Sequence, residues 1–76
     1  MAKLPTDLSG SDVRTALEQA GFVFRRQSGS NMTLCRDDHH ARVVVPDHRQ
    51  IRIGTLRRIV ADAGLSLDEF LRLLER

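Results

Sequence analysis

Aromatic side chains are nearly absent from this 76-residue chain, which has no tryptophan, no tyrosine and three phenylalanines. Recognition of splayed bases by stacking on rings therefore has no platform, and Phe22, Phe24 and Phe70 read most simply as core. Cysteine is scarce too. A single Cys35 cannot close an internal disulfide, which points to a reduced, cytoplasmic protein. No apolar run approaches the roughly 18 residues of a membrane span. The stretch Met1–Asp7 also lacks the apolar segment of a signal peptide. Lysine is down to one, so eleven of the twelve cations are arginine. That bias favours planar, forked recognition of phosphate over diffuse solvation.

What is present is ordinary for a globular protein: 41% hydrophobic and 29% charged residues. The length predicts one domain over residues 1–76, with a thin core that hides only about 60% of the unfolded surface. The formal charge is +2, but it is unevenly spread. Residues 21–60 hold eight arginines (25, 26, 36, 42, 49, 52, 57, 58) against three aspartates (37, 38, 47), a net of +5. Residues 1–20 sum to −1 and residues 61–76 to −2. A cationic centre between mildly anionic ends suits an anionic partner, RNA or DNA first, or an acidic protein. The plainer alternative is a solvated face in which arginine alternates with apolar residues.

The spacing predicts a helix over residues 9–20. Ser9 or Ser11 serves as its cap, and Val13, Ala16, Leu17 and Ala20 form one apolar stripe ahead of Gly21. Residues 22–27, 31–36 and 41–45 read as three strands. The Ser28-Gly29-Ser30 break and the polar turn Asp37-Asp38-His39-His40 separate them, and Pro46 stops the third. Alternation puts Met32 and Leu34 on one face of the second strand, Thr33 and Cys35 on the other. After a loop over residues 47–52, a second helix runs from about Gly54 to Ala63. Ser66 and Glu69 then form a capping box for a third, striped by Leu67, Phe70, Leu71 and Leu74. The predicted order is α-β-β-β-α-α, an α+β fold with helices on one face of a three-stranded antiparallel sheet and the other face free to meet a partner.

Four segments in this order resemble the HicA (YcfA-like) family of mRNA interferase toxins. They are Ala20-Gly21-Phe22-Val23, then Arg26-Gln27-Ser28-Gly29-Ser30, then Val43-Val44-Val45-Pro46-Asp47-His48, and finally the run from Ile53 to Ser66. The third is similar to a strand ending Val-Pro-x-His. The fourth, Gly54-Thr55-Leu56-Arg57-Arg58-Ile59 through Ala63-Gly64-Leu65, is similar to the signature Lys-x-Gly-Thr-Leu-Arg-x-Ile-x-x-x-Ala-Gly-Leu. The resemblance covers roughly Ser11 to Leu74. It implies a double-stranded-RNA-binding-like fold, metal-independent and ribosome-independent cleavage of mRNA, and a HicB-type antitoxin that blocks the active site. It also implies a catalytic histidine directly after the Gly-Ser of the first hairpin, and there this sequence has Asn31.

That departure bears on chemistry. Cleavage without a metal requires the 2′-hydroxyl to lose a proton as it attacks the phosphate, and the leaving 5′-oxygen to gain one. Histidine does both near neutral pH. Asparagine donates and accepts hydrogen bonds but does not titrate. The chain as written is therefore expected to be impaired as an endoribonuclease. The alternative is a non-catalytic RNA- or antitoxin-binding module with the same fold.

Other candidates follow from chemistry and position. His48, after Pro46 in a cationic loop, either borders the active site or only bonds within its loop. Arg25, Arg26 and Arg36 flank the Gly29-Ser30 turn. Arg26 and Arg36 are taken as phosphate contacts, joined by Arg49 beside His48, and the Gly29 and Ser30 amides can also receive a phosphate. His39 and His40, with Asp37, Asp38 and Cys35 nearby, have no metal-site spacing and read as a hydrophilic turn, so neither a metal nor another cofactor is assigned. No helix is studded with base-reading side chains, so sequence-specific DNA binding by this chain alone is not expected.

Overall fold

The computed structural model describes residues 4–74; Met1, Ala2 and Lys3 of the N-terminal stretch read above lie outside the described residues. The first helix, α1, runs Gly10–Gln19 from a reciprocal cap. The Ser9 hydroxyl accepts from the Asp12 N–H at 3.1 Å, and the Ser9 N–H donates to the Asp12 carboxylate at 3.0 Å. Aspartate thus fills the third position of a capping box that usually holds glutamate. Val13, Ala16 and Leu17 are buried, whereas Ala20 sits at the C-cap and is only half-buried.

Three antiparallel strands follow in the spatial order of the sequence: β1 (Val23–Ser28), β2 (Asn31–Arg36) and β3 (Ala41–Pro46). Ser28 pairs with Asn31 across a two-residue turn. Gly29 has φ +60° there and Ser30 does not, the requirement of a II′ hairpin. The polar stretch between β2 and β3 winds as a 3₁₀ turn over Asp37–His39, closed by His40 at φ 50° with its N–H on the Asp37 carbonyl. Helix α2 (Ile53–Asp62) and helix α3 (Leu67–Leu74) complete the order α-β-β-β-α-α, an α+β fold. The Ser66–Glu69 box caps α3: Ser66 N–H donates to the Glu69 carboxylate at 2.9 Å, and Glu69 N–H to the Ser66 hydroxyl at 3.1 Å. The Ser66 backbone N–H holds the Glu69 carboxyl below its ordinary value of 4.5. Of the stripe expected on α3 only Phe70 is buried; Leu67, Leu71 and Leu74 pack half-buried against the core.

One hydrophobic cluster joins α1, the sheet, α2 and α3. Its largest fully buried side chains are Phe70, Leu17, Leu34, Leu56 and Ile59, each worth about 1.5–3 kcal/mol of burial. The register fixes which sheet residues join it. Met32 pairs with Val45 and Leu34 with Val43, and all four are buried. The alternate residues lie on the far face, which none of the helices among the described residues covers. Among the described residues no helix is long and apolar enough to cross a membrane.

The loop after β3 is fastened to the start of α1. The Gly10 N–H donates to the His48 carbonyl at 2.8 Å, the Ile51 N–H to the Leu8 carbonyl at 2.7 Å, and the Gln50 amide to the Thr6 carbonyl at 2.6 Å. Gly10 is where α1 comes nearest to the end of β3, because a Cβ there would run into the Pro46 carbonyl oxygen. These contacts set where residues 47–52 stand relative to the sheet.

Candidate functional site

Residues directly opposite in an antiparallel pair share a face. The outer face is therefore three rows deep. Ser28, Asn31 and Pro46 form the first row, Arg26, Thr33 and Val44 the second, and Val23, Cys35 and Arg42 the third. Asn31 stands at the end of this surface, exposed, immediately after the hairpin turn. In the middle row Thr33, between Arg26 and Val44, is 8% exposed, while Val44 and Val23 remain 38% and 52% exposed.

Arg26 reaches this face because β1 carries a bulge. The register shifts between Phe24, which pairs with Leu34 on the core side, and Arg26, which pairs with Thr33 on the outer side. The extra residue is Arg25. Without the bulge, simple alternation from Phe24 would have turned Arg26 toward the helices.

Two ties hold the hairpin tip to the exit of β3. The Asp47 N–H donates to the Ser30 carbonyl at 2.6 Å. The Gln27 amide donates to the Asp47 carboxylate at 3.1 Å and to the Gly29 carbonyl at 3.2 Å. The bonds found at the turn thus engage its carbonyl oxygens. Pro46 is the cross-strand partner of Asn31, so His48 leaves the sheet two residues from the Asn31 row. His48 is exposed and lines a cleft with Gln50, Arg52 and Thr55 at the start of α2; Arg49 is exposed beside it.

Arg36 is not where the sequence reading put it. It pairs with Ala41 on the helix side of the sheet, at the opposite end of β2 from Asn31. Five residue steps of strand separate the two, roughly 16 Å at 3.3 Å per step. Its Nε donates to the Asp38 carboxylate at 3.0 Å, and it lines a cleft with Ala20, Leu65, Glu69 and Arg72. The reason is parity: Arg36 shares the face of Met32 and Leu34. Arg25 is also engaged, with the Asp37 carboxylate at 3.1 Å. The acidic turn therefore partners two of the central arginines, whereas Arg26 and Arg42 form no ion pair among the described residues.

Arg42 joins this face, although no motif in the sequence singles it out. Its placement follows from Ala41-Arg42-Val43-Val44-Val45, where the two buried valines fix Arg42 and Val44 to the outer face. Gln27 and Asp47 are not singled out either, and their tie depends on spatial proximity that no local pattern announces. Among the described residues, no three histidine, cysteine, aspartate or glutamate side chains converge as a metal site would require.

As a whole, the outer face offers an amide at Asn31, hydroxyls at Ser28 and Thr33, and two guanidinium groups. This donor set suits an anionic backbone. A family model described as the HicA toxin of bacterial toxin–antitoxin systems matches residues 10–65, a span running from the start of α1 past the end of α2. No curated protein matches the chain.

Proposed function

The chain belongs to the HicA toxin family of bacterial toxin–antitoxin systems, and on that premise we propose that its outer sheet face is the working surface of an mRNA endoribonuclease that needs no metal ion. Position 31 is the proton-transfer site, and a HicB-type antitoxin neutralises the toxin by covering it. The observation that carries this reading is the place of Asn31. It is exposed on the bare face of the sheet, directly after the Gly29–Ser30 turn, where the resemblance puts a histidine.

In the reaction the 2′-oxygen gives up its proton and bonds to the neighbouring phosphorus. The bond from phosphorus to the 5′-oxygen breaks, and that oxygen takes a proton, leaving a 2′,3′-cyclic phosphate. An imidazole at position 31 performs the proton transfer, and Asn31 only holds and orients the phosphate. The tie from Gln27 through Asp47 keeps the hairpin tip and the His48 loop together during this step. Arg26 neutralises charge one row away, and Arg49 extends the cationic rim.

Proton transfer of this kind contributes roughly 10²–10⁴-fold to rate. Cleavage of a defined mRNA in EDTA by the chain and by Asn31→His, run side by side, should show a gain on that scale for the histidine variant. Equal cutting by both would move the chemistry away from position 31, with His48 next in line. No cutting by either would favour the second reading, a non-catalytic module that binds RNA or the antitoxin. Asn31 is the observation that favours it.

A further inference from the structure

We propose that a single RNA strand crosses the outer face of the sheet from Asn31 past Arg26 to Arg42, with Arg42 as the far phosphate contact. This path rests on the endoribonuclease reading and adds a binding residue to it. Arg26 and Arg42 are in successive rows on the two edge strands, with Thr33 and Cys35 of β2 as the floor between them. Rows on one face repeat about every 6.7 Å, and the two edge strands stand roughly 10 Å apart. On the diagonal, one row along and two strands across, Arg26 and Arg42 are roughly 12 Å apart, about two steps between successive phosphates of an extended strand.

Charge gives the same direction. The acidic turn engages Arg25 and Arg36, so the pairing that removes them from competition leaves Arg26 and Arg42 as the arginines of the sheet without an ion pair among the described residues. The reaction requires it as well. In-line attack needs the 2′-oxygen, the phosphorus and the departing 5′-oxygen to align, a geometry that a flexible strand reaches and a regular A-form duplex does not. With no ring on this face, the bases are not stacked and the grip is on the backbone. Binding should therefore tolerate sequence.

The test is binding of a short, unstructured, labelled RNA to the whole chain by fluorescence anisotropy across a salt series. Arg26→Gln and Arg42→Gln should each weaken binding roughly tenfold and lower the salt slope by about one. Arg36→Gln should leave both unchanged. Arg42→Lys should restore the slope but not the full affinity, because it keeps the charge and loses the fork. Binding indifferent to Arg42→Gln but weakened by Arg36→Gln would overturn the path and place the strand at the cleft beside Arg36. Loss of affinity for an acidic protein partner with RNA binding untouched would assign the face to protein and overturn it equally. RNA binding by none of the chains, even at low salt, would instead remove the endoribonuclease reading on which the path rests.

Discussion

The two faces of the sheet are built from the same three strands and do opposite work. On the inner face, Met32, Leu34, Val43 and Val45 lie under the helices and are 0–3% exposed. On the outer face, their immediate neighbours Asn31, Arg42 and Val44 lie open to solvent, around a sheltered Thr33. Strand alternation thus lets a very small protein encode its core and the surface proposed for binding in one stretch of chain, residue by residue. The price of so thin a core is that each inner position carries a large share of the folding free energy.

One substitution on each face should separate their roles most sharply. Leu34→Ala should cost about 2–5 kcal/mol and bring the chain close to unfolding. Val44→Ala, on the neighbouring strand but the opposite face, should stay within about 1 kcal/mol of the parent. Urea denaturation of the two variants measures both, and equal losses would mean that the outer face is not bare in solution.

A smaller effect sharpens the contrast between sheet and helices. Glu69 is ionised more readily in the folded chain than in the unfolded one, because the Ser66 N–H donates to it. Its contribution is therefore fully present above its ordinary value of 4.5 and is lost as the pH falls through the lower folded value. Glu69 is fully exposed, so the change should be slight and confined to the α3 cap. Glu69→Gln should flatten the acid limb of the stability curve; an unchanged limb would remove the cap from the account.

Most of the fold was legible in the sequence because its signals are local. Ser9 and Ser66 announce their helices by side chains that reach three residues along the chain. Gly29 marks the hairpin by a φ that other residues rarely adopt. Val43 and Val45 reveal the buried face by alternation. The placement of Asn31, exposed directly after the hairpin turn, also follows from these local signals. Arg36 shares the parity of Leu34, which places it on the helix side and away from the Gly29–Ser30 turn. The bulge at Arg25 and the Gln27–Asp47 tie were not legible, since both arise from how strands and loops meet in space.

The outer face, with position 31 within it, is proposed as the surface that meets RNA. Nuclear magnetic resonance offers the most direct test, because a chain with asparagine at position 31 should bind RNA without consuming it. Titration with an unstructured RNA should shift the backbone amides of Asn31, Thr33, Cys35, Arg26, Arg42 and Val44, and leave α1 and α3 still. Shifts concentrated on α1, α3 or the Asp37–His40 turn, with the outer face silent, would contradict the account.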